Sequence, residues 1–140
     1  MQDERYDPGS PKDWLRRAKS NLIRAKQPKH EEVFWEDLCF DAQQAAEKSL
    51  KALLVHKKIP FRLVHDIAEL LTVLKQNGIA LPEEIQAAAE LSDYAVAARY
   101  PGPIESVTKN EYNDALRIAE KVVAWVEGLI GSTSERTTDN

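Results

Sequence analysis

The sequence predicts an all-α protein, five helices in a mainly antiparallel up-and-down bundle. Three observations carry that prediction. The stretch from Glu31 to Lys58 contains no Pro and no Gly and is dense in good helix formers. Pro and Gly elsewhere cut the chain into four further segments with apolar residues at helical spacing. No segment alternates with period two for long enough to read as a strand. Short links between such helices place sequential neighbours antiparallel.

Each element has its own start and stop signals. Ser10 can cap the first helix, Pro11 suits its first turn, and Asp13 favours the positive amino end. That helix carries Trp14, Ala18, Leu22 and Ala25 on one face and stops near Pro28. Glu31 and Glu32 open the second helix, which ends before Ile59-Pro60. Its core stripe is Trp35, Leu38, Cys39, Ala42, Ala45, Ala46, Ser49, Leu50 and Leu53, and Gln43, Gln44, Glu47, Lys48 and Lys51 stand on or beside the other faces. Glu47 and Lys51 have the i, i+4 spacing of an ordinary helix pair. The third helix carries Ile67, Leu70, Leu71 and Leu74 and ends at Gly78. The fourth starts at Leu81-Pro82-Glu83-Glu84 and breaks before Pro101-Gly102-Pro103. Thr108 and Glu111 form a capping box for the fifth, whose face runs from Tyr112 to Ile130 before Gly131 ends it. The expected boundaries are a flexible 1–10, a helical domain over 11–131 and a disordered 132–140.

Phe40, Leu54, Ile118, Trp125 and Leu129 fall outside the core stripes. That is more apolar surface than a lone bundle exposes, so the sequence predicts a homodimer.

Composition narrows the function classes. The chain has 140 residues, 43% hydrophobic and 30% charged, with net charge -4, which fits one soluble domain and argues against a uniformly basic duplex-binding fold. No apolar run approaches the roughly 20 residues that span a bilayer, so no membrane partner is expected. The amino-terminal residues are too polar for a secretory signal, and a single Cys39 in an apolar stripe reads as a small buried hydrophobe. A cytoplasmic setting follows as the expectation. No two His lie i, i+4, one Cys cannot assemble a thiolate site, and Glu83, Glu84 and Glu90 lack a Glu-x-x-His companion, so neither metal nor cofactor is predicted. There is no glycine-rich phosphate loop.

The order of local signatures resembles the HEPN family, small helical domains found alone or beside nucleotidyltransferases. The pieces are Asp13-Trp14-Leu15, the run from Phe40 through Gln43-Gln44-Ala45-Ala46-Glu47-Lys48 to Leu54, His65-Asp66-Ile67, Ala98-Arg99-Tyr100-Pro101, and the Glu111 to Val126 helix. Together they cover about residues 11 to 130. The resemblance implies a homodimeric bundle with a cleft that cleaves RNA in many members and binds nucleotides in others. It also implies a toxin-antitoxin-like setting with a nucleotidyltransferase partner. RNase members carry an Arg followed after four to six residues by a His, late in the bundle.

Here that motif is missing from the expected place. The histidines are His30, His56 and His65, and none follows Arg99 or Arg117 at the right distance. Arg24 and His30 have the spacing, but they straddle a helix end and Pro28 near the amino terminus. The resemblance therefore points to a binding or accessory module, with an RNase of atypical site or a purely structural dimer as the alternatives. The polar candidates for a nucleotide pocket are His65, Asp66, Arg99, Tyr100, Lys48 and Lys51. His65 sits at a helix amino end, Arg99 offers a planar fork for phosphate, and Tyr100 offers a ring for stacking. The competing reading is structural: His65 caps the helix, Asp66 supports its dipole, Arg99 pairs with an acid, Tyr100 packs on a proline, and Lys48 and Lys51 are solvated.

Overall fold

The computed structural model describes residues 8–63, 65–97 and 107–138, with backbone alone for 95–97 and 132–138. The helices are α1 (Pro11–Ala25), α2 (Trp35–His56), α3 (Ile67–Gln76), α4 (Glu83–Gln86), α5 (Ser92–Ala97) and α6 (Lys109–Thr138), with a 3-10 turn over Ala87–Leu91 between α4 and α5. No strand occurs among the described residues. The all-α prediction holds, and the fourth expected helix is a broken rod made of α4, the turn and α5. Its buried residues Ile85, Ala88 and Leu91 are spaced by three, which a 3-10 turn aligns on one edge where an α-helix would rotate them apart.

Local chemistry explains the boundaries. Ser10 Oγ accepts the Asp13 N–H at 3.1 Å, and Thr108 and Glu111 exchange their two capping bonds at 3.1 and 3.0 Å. Gly78 takes φ 84°, and the Ile79 N–H closes back onto the Leu74 carbonyl at 3.1 Å. The same closure ends α2, where Lys58 adopts φ 59° and the Ile59 N–H reaches Leu54 O at 2.9 Å.

Two boundaries differ from expectation. α2 starts at Trp35 rather than Glu31, because the Asp37 carboxylate accepts the Phe34 N–H at 3.3 Å and fixes the helix entry there. α6 continues past Gly131 to Thr138. A glycine stop needs an apolar residue after it to fold back on the helix, as Ile79 follows Gly78; Gly131 is followed by Ser132 and Thr133.

α2 is the axle of the molecule. α1, α3, α5 and α6 all pack against it, α1 and α6 most extensively. Leu38, Cys39, Ala42, Ala46, Leu50, Leu53 and Leu54 are buried along it with Leu70, Leu74, Val122 and Val126 from its neighbours. Leu54, expected on a second surface, is fully buried inside this core and leaves the set of residues available to a dimer. Pairings give the directions. Lys19 meets Glu127 and Lys26 meets Glu120, so α1 and α6 are antiparallel. Trp35 and Tyr112, near the starts of α2 and α6, have ring centroids 4.8 Å apart, so those two helices run parallel. The chain segment from α3 through α5 makes the return crossing that parallel neighbours require.

Candidate functional site

Gln43, Glu47 and Lys51 recur every fourth residue of α2 and therefore form one column. Because helices surround α2, this polar column is buried: Gln43, Glu47 and Lys51 retain 0%, 1% and 4% of their surface. Burying two charges is costly unless they are paired and their remaining hydrogen-bonding capacity is filled. Here it is filled. Lys51 Nζ donates to Glu47 Oε2 at 2.8 Å, and Gln43 Nε2 donates to Glu47 Oε1 at 2.9 Å. The Trp14 ring of α1 lies 5.4 Å from Lys51 Nζ and covers the ammonium with its negative face.

A third donor arrives from outside the column. His65, two residues before α3, places Nδ1 3.1 Å from Glu47 Oε2. A carboxylate that already accepts from Lys51 can only accept here, so Nδ1 carries the proton. The His65 side chain is 61% exposed while that of Glu47 is 2% exposed. The imidazole thus bridges a buried carboxylate to the surface, with Nε2 as its remaining functional atom. In this tautomer a neutral ring offers Nε2 as an acceptor or base, and a protonated ring offers a charged donor to an oxyanion. The loop carrying His65 is also tied to α3, since Arg62 grips Glu69 at 3.1 and 2.7 Å. That hydrogen-bonded pair holds the Glu69 carboxyl below its ordinary range. Leu63, next to Arg62 in the same loop, is 85% exposed.

The predicted site residues separate into groups. His65 and Lys51 do meet, through Glu47. Asp66 is the α3 cap: its Oδ1 accepts the Ala68 N–H at 3.0 Å, so the capping role expected of His65 belongs to its neighbour. Ser92 Oγ accepts the Ile67 N–H at 2.9 Å and joins the starts of α3 and α5. Lys48 turns to α1, where Nζ donates to Asn21 Oδ1 at 2.8 Å. Lys51 is buried where a solvated lysine was expected, and Glu47–Lys51 is not an ordinary surface pair. Arg99 and Tyr100 lie outside the described residues. Arg24 pairs with Asp41 at 3.5 Å, and His30 Nδ1 accepts the Glu32 N–H at 3.0 Å in an exposed loop.

Glu47 and Gln43 were missed as site residues. A signal for them existed: Leu54 and Phe40 off the main stripe mark a helix with neighbours on several sides, and a polar column on such a helix must be buried and internally paired. Among the described residues no cluster of three or more His, Cys, Asp or Glu could hold a metal ion. No helix among them is long and apolar enough to cross a membrane.

Comparison with known proteins bears on this geometry. A model of the HEPN domain matches residues 11–129. The crystal structure of TT1696 from Thermus thermophilus is similar at 33% identity and TM-score 0.74, over 85% of this chain and 97% of that one. The structure of ST0689, an archaeal HEPN homologue, is similar at 28% identity and TM-score 0.69, over 86% of this chain and 98% of that one. None of the curated proteins compared matches the sequence.

Proposed function

The chain belongs to the HEPN domain family, and we propose that it serves there as a binding and accessory module whose His65 edge takes a phosphate-bearing nucleotide. The observation that carries this reading is the relay from buried Lys51 through Glu47 to an exposed imidazole. When His65 is protonated the three groups carry one net positive charge, and its outward end is Nε2. A dianionic phosphate is the ligand that such an edge favours. Arg99 and Tyr100 remain part of the proposed pocket as a fork for phosphate and a ring for stacking. A nucleotidyltransferase partner in a toxin-antitoxin-like pair suits an accessory module of this kind. So does a homodimer through the half-buried Phe40, Ile118 and Trp125 and the partly exposed Leu129.

The test is a calorimetric titration of the full chain with AMP and ATP. His65→Ala is expected to weaken binding about tenfold, the value of one charge-assisted hydrogen bond. Asp66→Ala is expected to lower stability by about 1 kcal/mol through loss of the α3 cap, with affinity unchanged. Absence of saturable binding at millimolar nucleotide, or equal affinity in the His65 variant, removes the reading.

One observation favours a second reading, an RNase of atypical site. A carboxylate that orients imidazole Nδ1 and leaves Nε2 outward is the arrangement of a general acid–base pair. A metal-free sample that cleaves single-stranded RNA, and loses about two orders of magnitude in rate on His65→Ala, would select it over simple binding. On this reading Arg24→Ala and His30→Ala leave the rate unchanged.

A further inference from the structure

Between α2 and α3 the chain leaves the core and returns to it. Phe61 packs on the core and Ile67 is fully buried, whereas Arg62, Leu63, His65 and Asp66 between them are exposed. The returning end is anchored by its backbone. Asp66 caps α3, and the Ile67 N–H donates to Ser92 Oγ at 2.9 Å. At the departing end, Arg62 Nε and Nη2 grip the two carboxylate oxygens of Glu69 at 3.1 and 2.7 Å. A two-point grip of this kind fixes direction as well as distance, which a single ammonium cannot do.

His65 lies inside the ring that this grip closes, after Arg62 and before Glu69 in the chain. Its imidazole is 61% exposed, and its hold on the bundle is the 3.1 Å contact of Nδ1 with Glu47 Oε2. A functional group carried on a loop is placed only as accurately as the loop is held, and an exposed ring otherwise samples several rotamers. Lys51 and Gln43, the other groups on that carboxylate, ride on α2 itself and need no such support.

We infer that Arg62 is a positioning residue: by closing the loop onto Glu69 it seats His65 Nδ1 on Glu47 and keeps Nε2 outward for a ligand. For its effect on binding, this inference rests on the nucleotide reading of the His65 edge. The grip is solvent-facing, with the Arg62 side chain 77% and the Glu69 side chain 30% exposed, so its bias on the loop is modest. An effect of about threefold is expected, within the range of an exposed ion pair.

The test reads the ring directly. The 15N chemical shifts of the His65 imidazole, at about pH 8 and so above the ordinary imidazole range, report which nitrogen carries the proton. The parent is expected to carry it on Nδ1. Arg62→Gln and Glu69→Gln are expected to move both nitrogens toward the averaged values of a free imidazole, and to weaken AMP binding about threefold. Arg117→Gln, which breaks another exposed pair on α6, is expected to change neither. The swap Arg62→Glu/Glu69→Arg is expected to restore the shifts and the affinity while lowering stability, because it puts a cation in the first turn of α3. A pair that served stability alone would give shifts that follow stability instead.

Parent-like ring shifts, or parent-like AMP affinity, in both single variants overturn the inference, as does a swap whose shifts track its lost stability. The shifts need no nucleotide. If the parent binds no AMP, the nucleotide reading falls and the shifts still decide this one. If AMP binding depends on His65 while the shifts ignore Arg62, only this inference falls.

Discussion

Removing Lys51 alone should damage the protein more than removing Lys51 and Glu47 together. The two side chains are 5% and 2% exposed, so solvent screens their attraction little. Lys51→Met leaves the Glu47 carboxylate buried, and losing one partner of such a pair costs about 3–5 kcal/mol. The lower end applies, because Gln43 Nε2 and His65 Nδ1 remain on that carboxylate. About 3 kcal/mol is expected, or a fall in Tm of roughly 10 °C for a domain of this size. Glu47→Leu should cost at least as much, since it strands the ammonium against Trp14 and takes the acceptor from Gln43. The double variant Glu47→Leu/Lys51→Met removes both charges and should recover most of the loss, leaving about 1–2 kcal/mol for the buried Gln43 amide that has lost its acceptor. Urea denaturation of all four proteins gives the coupling energy directly, provided the m-value is constant. A coupling below about 1 kcal/mol, with additive single losses, would refute the claim that these charges are a desolvated unit.

Three further outcomes follow from other parts of the fold. Lys58→Gly should stabilise by about 0.5–1 kcal/mol in the same denaturation assay, because Lys58 ends α2 at φ 59°, where a Cβ is penalised. Tyr112→Phe should cost about 1 kcal/mol, since Tyr112 Oη donates to Ala25 O at 2.6 Å and ties the start of α6 to the end of α1. Burial pushes the Cys39 thiol up to about 12 from an ordinary 9.0, and the Tyr94 phenol up to about 12 from 10.0. Both folded values are raised, so the unfolded chain gives up these protons first. Stability should be intact below pH 9.0 and fall as pH rises toward 12, and Cys39→Ala should lose less of it over that window than the parent.

The helices were legible because each carries its own period and punctuation. Ser10, Gly78 and the Thr108–Glu111 box are local devices, and local devices can be read one residue at a time. What the sequence hid was non-local. Phe40 and Leu54 hint that α2 has neighbours on several sides, but nothing within it says which helix covers the Lys51 face, and that cover decides whether Lys51 is a solvated lysine or a buried one. The i, i+4 spacing of Glu47 and Lys51 is identical in both cases. His65 was found through its place before a helix, yet its partner is Glu47, eighteen positions earlier, and the capping role fell to Asp66. Lys48 and Lys51 look alike as letters three apart. The rotation of the helix between them sends one to Asn21 and the other to Glu47.

The central position of α2 also bears on the order in which the molecule loosens. Amides of a helix enclosed by α1 and α6 exchange with solvent only when the whole core opens, whereas a shorter helix with one main contact face opens sub-globally and more often. Glu47 and Lys51 ride on the first kind of element. His65 rides on the loop before α3, the second kind, whose packing on α2 is much less extensive. The imidazole can therefore leave its carboxylate and return while the ion pair beneath stays in register. In hydrogen-exchange terms, the His65 end of the relay is expected to fall in a faster unit than its base. A ligand that bridges the two would reveal itself by slowing exchange in α3 while leaving α2 unchanged.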